Sequence, residues 1–137
     1  MAFSGVKRSG GNFGGRITFD SATVNFESAL NSTSGVFTAP SAGTYYFSLS
    51  AVTGTSRGQT TVTVSKKGAK AFEINEKNDQ GTLHSLSYSW VETLNAGDTI
   101  VLDVTSHKLY VGGTYSVFFN GFSLVSCLIL LKNCVET

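Results

Sequence analysis

The stretch Ser34-Gly35-Val36-Phe37-Thr38-Ala39-Pro40-Ser41-Ala42-Gly43-Thr44-Tyr45-Tyr46-Phe47-Ser48-Leu49 limits what this chain can become. It predicts strand, tight turn, strand. Val36 and Phe37 are strand formers. Pro40 has no N–H to give to a ladder, so it ends the first strand or sits at an edge. Gly43 permits a sharp reversal. Beyond it, Tyr45, Phe47, Leu49 and Ala51 alternate with Tyr46, Ser48 and Ser50, the period of a half-buried strand.

The same period recurs along the chain. Ile17-Thr18-Phe19 and Val24-Asn25-Phe26 are short strand candidates. Val62 and Val64 share one face and threonines the other. Ala71–Asn75 is another short strand. Leu86, Tyr88 and Trp90 point inward between serines. Ile100, Leu102 and Val104 share a face after the turn Asn95–Asp98. In Tyr115–Val125 the alternation changes phase, and a bulge at Asn120-Gly121 would return Phe122 and Leu124 to the side of Phe119. Helix signals are nearly absent, the tail Cys127–Val135 being the only contender. Eight to ten short strands with regular turns predict an antiparallel sandwich or barrel with one wet face per sheet.

The chain has 137 residues, the size of one domain with a sizeable core. Charged residues make up 14%, against about 25% in an average soluble domain. Few charges beside ordinary apolar content point to a buried subunit interface or to a surface rich in Ser, Thr, Gly and Asn. The net charge of +1 and the scattered cations disfavour nucleic acid. No polybasic membrane patch or membrane span is present. Cys127 and Cys134 lie at the end of the chain, so the core does not depend on a disulfide framework.

Two groups of residues carry candidate chemistry. His107 and Lys108 precede Tyr110 and Tyr115, which flank Val111-Gly112-Gly113-Thr114. They offer a stacking and hydrogen-bonding surface for a glycan. Arg57 can meet an acidic sugar or a phosphate. The plainer reading of both segments is an ordinary hairpin tip. The run Asn75-Glu76-Lys77-Asn78-Asp79-Gln80 offers oxygen ligands to calcium at Asp79 and Gln80, or is a solvated polar loop. His84 and His107 are the only histidines, and neither sits in a hydrolase or metalloprotease context, so an enzyme is not expected. Asn31-Ser32-Thr33 is a glycosylation sequon.

The pattern G-x-F-T-A-P-x-x-G-x-Y-x-F at 35–47 resembles the globular C1q domain. So do Ala2-Phe3-Ser4, Phe19-Asp20 with Asn25, Ser65-Lys66-Lys67-Gly68, Leu94-x-x-Gly97-Asp98-x-Ile100 and Phe119-Asn120-Gly121-Phe122-Ser123-Leu124. The resemblance implies an all-β, two-sheet antiparallel jelly roll of about ten strands, of the C1q and tumour-necrosis-factor group, over 1–126, with 127–137 as a tail of separate role. It implies a homotrimer with its termini at one end and loops at the other. It also implies a module that recognises microbial or cell-surface carbohydrate or lipopolysaccharide in innate immunity. The other readings are a secreted trimer that binds a protein receptor, and a trimerisation module with no ligand. In some members an Asp-Gln pair like Asp79-Gln80 binds Ca2+. The family implies an extracellular home. Met1–Ser4 lacks the charged start and apolar run of a secretory leader, so either the chain takes another route or a leader belongs upstream.

Overall fold

The computed structural model describes residues 1–124. The expected tail at 127–137, its two cysteines and the boundary at 126 lie outside those residues. Eleven strands follow one another: β1 Ala2–Lys7, β2 Gly11–Arg16, β3 Ser21–Asn25, β4 Leu30–Asn31, β5 Val36–Thr38, β6 Gly43–Thr53, β7 Gly58–Lys66, β8 Ala69–Asn78, β9 Ser85–Leu94, β10 Thr99–Val111 and β11 Val117–Leu124. One three-residue 3-10 turn, Phe26–Ser28, interrupts them. All pairings are antiparallel.

The strands form a two-sheet antiparallel sandwich, as the sequence predicts. The first sheet runs β3-β1-β11-β6-β9. In the second, β10 pairs with β7, β7 with β8, and β2 and β5 lie along β10, with β4 outside β5. The sheets join where Leu109 and Tyr110 of β10 meet Thr53 and Val52 of β6.

The turn at Pro40 is not a hairpin. β5 pairs with β4 and β10, whereas β6 pairs with β9 and β11. The reversal therefore carries the chain from one sheet to the other, and Phe37 faces Tyr45 and Phe47 across the core at ring-centre distances of 5.7 and 5.1 Å. Residues 17–19 make a similar crossing. Ile17 and Phe19 are buried as their spacing suggests, yet they form no strand. Ile17 N–H bonds to Leu102 O and Phe19 N–H to Ser32 O, while Asp20 N–H bonds to Val6 O.

An aromatic cluster fills the space between the sheets. Phe3 lies 5.0 Å from both Phe37 and Phe119, and Phe47 lies 5.4 Å from Trp90. Leu86 and Trp90 are buried, as read from the alternation. Tyr88, on the same side, remains 48% exposed because it lies toward the open edge formed by β8 and β9, against Phe72.

The expected bulge in β11 is absent. β11 pairs in unbroken register with β1 and β6, so Phe122 and Leu124 face outward beside Phe118. Gly121 holds the inward position that Phe122 was expected to take. A Cβ there would sit 2.5 Å from Cε1 of Phe3 and 3.0 Å from Cδ1 of Phe47. The aromatic cluster already fills that space, and glycine permits the strand to pass without a shift. The phase change occurs in β10 instead, where register slips between Val104 and Leu109 and His107 takes φ 57°.

Candidate functional site

β6 runs from Gly43, opposite Leu94 and near Leu124, to Thr53, beside Leu109. Met1 lies at the Gly43 end, where its carbonyl accepts from Ser123 N–H at 3.1 Å. The loops after β1, β6, β8 and β10 gather at the Thr53 end. Every candidate residue from the sequence lies in or beside these loops: Arg57, Asp79, Gln80, His107, Lys108, Tyr110 and Tyr115.

Arg57 and His107 meet directly. His107 Nε2 lies 3.0 Å from the Arg57 carbonyl oxygen, and its Nδ1 lies 3.1 Å from Ser106 Oγ. A carbonyl only accepts, so Nε2 carries the hydrogen. This contact needs Gly58. Its φ is +124°, and a Cβ on it would fall 2.4 Å from His107 Nε2. Lys108 joins through its backbone, whose carbonyl accepts from Gly54 N–H at 2.8 Å.

Tyr110 and Tyr115 form a second group. Gly112 and Tyr115 exchange backbone hydrogen bonds of 3.0 and 2.9 Å and close the tip. The two rings then meet edge to face at 6.3 Å. Tyr115 is exposed and Tyr110 half-buried. Asn12 stands between the groups. It is opposite Tyr110 in the ladder, and its Oδ1 lies 2.7 Å from where a Cβ on Gly54 would be. Asn12 carried no sequence signal beyond its place in a glycine-rich run.

The loop after β8 depends on Asn78, which the sequence reading left within a polar run. Asn78 is fully buried. Its Nδ2 donates to Gly54 O at 3.0 Å and Thr82 O at 2.6 Å, and lies 3.3 Å from Thr53 Oγ1. Its Oδ1 accepts from Gly81 N–H at 3.0 Å. The signal was present in the alternation, since Ile74 is inward and Asn78 lies four residues on. The Arg57 side chain lies along Gly81, its Nε 3.7 Å from a Cβ position on that glycine. Arg57 is thereby set beside the loop that bears Gln80.

Charge at this end is unevenly matched. Among the described residues Arg57, Lys108, Lys7 and Arg8 enter no side-chain ion pair. Lys7 instead places its ammonium 5.0 Å from the centre of the Phe13 ring. The acids nearby are engaged. Glu76 faces His84 at 3.5 Å, and Asp79 faces Lys77 at 3.8 Å.

Asp79 and Gln80 are both exposed in the loop after β8. The Asp79 side chain is 70% exposed and next to an ammonium. No group of three or more His, Cys, Asp or Glu converges among the described residues. Calcium takes about six to eight oxygens, so a site at this pair would draw most of its ligands from backbone carbonyls, water or another subunit.

The outward face of the first sheet is the other surface with a chemical character. Phe118, Phe122, Leu124 and Val91 are exposed on it, and Tyr46 stacks on Phe122 at 5.0 Å. Toward the loop end the face becomes polar, with Ser48, Ser50, Ser87 and Ser89 paired across β6 and β9. Ser4 Oγ donates to Asn120 Oδ1 at 2.6 Å there. No helix among the described residues is long and apolar enough to cross a membrane.

Comparison with solved structures finds the same fold. The globular domain of zebrafish complement 1qA matches with a TM-score of 0.71 at 21% identity, over 90% of this chain and 97% of that one. Murine APRIL matches with a TM-score of 0.64 at 11% identity, over 89% and 100%. The Eiger TNF of S. frugiperda matches with a TM-score of 0.64 at 11% identity, over 92% and 94%. A comparison with characterised protein sequences finds no match. The sequence model of the C1q domain matches residues 2–124, nearly all of the chain, and the chain therefore belongs to the C1q domain family.

Proposed function

We propose that this chain is one protomer of an extracellular homotrimer that binds microbial or cell-surface carbohydrate, lipopolysaccharide included, through the loop end of each subunit. C1q domains form trimers and bind ligands or receptors. They are generally not enzymes and are typically extracellular. The apolar outward face of the first sheet supports the trimer. Exposed Phe122, Leu124 and Val91 lie together with Tyr46 at the Gly43 end of this face, and Phe118 stands beyond the polar row of Ser4, Asn120, Ser48 and Ser89; a second copy would remove these side chains from water.

One observation carries the ligand reading. The loop between β6 and β7 and the strand β10 bring Arg57 and Lys108, which have no ion-pair partner among the described residues, to the same end as the exposed ring of Tyr115. A saccharide offers an apolar ring face for stacking. An acidic sugar or a lipid A phosphate adds the anion that a guanidinium grips in two-pronged fashion. Three weak sites on one trimer gain by avidity on a repetitive surface.

The test is binding of the trimer to immobilised glycans and to lipopolysaccharide, with free sugar as competitor, in calcium and in chelator. Saturable binding abolished by free sugar supports the reading. Binding lost in chelator would assign Asp79 and Gln80 to a metal shared between subunits. Absence of saccharide binding in both conditions moves the function to a protein partner or to trimerisation alone.

A further inference from the structure

The geometry points to Asn31 as the acceptor of an N-linked glycan, on an edge of the sandwich that neither the trimer face nor the loop end uses. The inference rests on the extracellular reading above, because transfer takes place in the secretory pathway. Asn31-Ser32-Thr33 supplies the acceptor amide and the hydroxyl two residues on, with no proline between.

The structure adds three observations. Leu30 is buried, so the next residue of β4, Asn31, faces outward and is exposed. Thr33 is exposed as well. Second, the Asn31 amide is used in only one way. Its Oδ1 accepts from Ser34 N–H at 3.0 Å, while among the described residues its Nδ2 has no acceptor. This differs from Asn25, whose Nδ2 is committed to Leu30 O at 2.8 Å, and from Asn78, whose Nδ2 is buried among carbonyls. A glycosylated asparagine keeps its amide oxygen and uses its nitrogen, so the sugar and the Ser34 bond are compatible.

Third, the position is permissive. β4 pairs only with β5, at the border of the second sheet, and leaves a strand edge without a partner among the described strands. The turn is held to the body by Phe19 N–H to Ser32 O at 2.9 Å and Gly35 N–H to Asn31 O at 2.8 Å. A glycan here projects from a fixed turn and screens an open edge from further strand pairing. The apolar outward face belongs to the first sheet, and the binding loops lie at the Thr53 end.

In the transfer, Asn31 Nδ2 forms a bond to the anomeric carbon of an oligosaccharide carried on a polyprenyl diphosphate. The bond from that carbon to the diphosphate oxygen breaks, the lipid diphosphate leaves with the electron pair, and Nδ2 gives up one proton.

The experiment secretes the full chain behind a cleavable leader from insect cells, which delivers it to the transferase whatever its own route. The secreted protein should carry a discrete added mass that peptide N-glycosidase removes, leaving aspartate at position 31. Asn31→Gln and Thr33→Ala should lose that mass, and Thr33→Ser should retain it. Asn31→Gln should leave the oligomer size unchanged. Secreted protein without the added mass, or with it still present in Asn31→Gln, overturns the assignment. Modification behind the leader, but none on intracellular protein from the native source, would sink the extracellular reading and leave the site standing.

Discussion

Asn78 Nδ2 donates to the Gly54 carbonyl oxygen at 3.0 Å and ties the end of β8 to the loop between β6 and β7. One buried amide thus sets the relative position of two loops that bear candidate ligand groups. Replacing it with alanine leaves Gly54 O, Thr82 O and Gly81 N–H without their partner. Gly54 is buried while Gly81 is half-buried and Thr82 exposed, and a buried group so stranded costs about 1–3 kcal/mol. Asn78→Ala should therefore lower stability by more than about 2 kcal/mol, read from urea unfolding. Asn78→Asp should do similar harm, since a carboxylate cannot donate to those carbonyls. A loss below about 0.5 kcal/mol would show that the loops hold themselves.

Phe119 and Phe122 differ in direction although both are large and belong to one strand. Phe119 is fully buried and Phe122 is 44% exposed. Phe119→Ala should cost about 3–5 kcal/mol in global stability. Gly121→Ala should cost about 1–3 kcal/mol by overpacking, because the added methyl meets the Phe3 ring. Phe122→Ala should leave the fold of a protomer intact. Equal losses at 119 and 122 would mean that β11 is out of register with the present pairing.

The part of the fold that was legible is the part that alternation controls. Tyr45, Phe47, Leu49, Val62, Val64, Ile100, Leu102 and Val104 are all buried as their spacing required. Alternation gives the face of a residue within a strand but not the sheet to which the strand belongs. That is why the Pro40 segment reads only as strand, tight turn, strand in sequence, while in space it carries the chain from one sheet to the other. It also fails where a small residue occupies an inward position, as Gly121 does, because period two is then carried by an absence. The candidate residues were legible as chemistry, and the jelly roll resemblance implied that loops gather at one end. The contact of His107 with Arg57 was not legible. It depends on a slip in β10, and loop-to-loop contacts leave no period in either strand.

Phe118 and Phe122 lie two strand repeats apart on the outward face of the first sheet, flanked by Val6 and Ala2 on β1 and by Ser50 and Tyr46 on β6. If this face is covered in the trimer, charge placed on it should separate the subunits without unfolding them. Phe122→Glu should convert the oligomer to monomer in analytical ultracentrifugation at micromolar concentration. Phe118→Glu should weaken it. The strand content seen by circular dichroism should persist in both. A trimer that survives the double variant would show that another surface holds the subunits together.

Arg57 and Lys108 are the groups through which an anionic ligand should be felt. Neither has a carboxylate partner among the described residues, so neither has a native ion pair to lose. Arg57→Ala should weaken binding to lipopolysaccharide by about 1.5–3 kcal/mol per site, the range for a hydrogen bond to a charged group. That is about a ten- to hundredfold loss, multiplied on a surface that engages three subunits. Arg57→Lys should recover only part of it, since an ammonium cannot form the paired contact of a guanidinium. Lys108→Ala should act mainly through salt dependence, because its side chain is an exposed point charge screened within about 8 Å at physiological ionic strength. Thermal unfolding should be unchanged in all three variants, which separates lost recognition from lost fold. Undiminished binding of the Arg57→Ala, Lys108→Ala double variant would remove both cations from the site and leave Tyr110, Tyr115 and Asn12 as the groups to test.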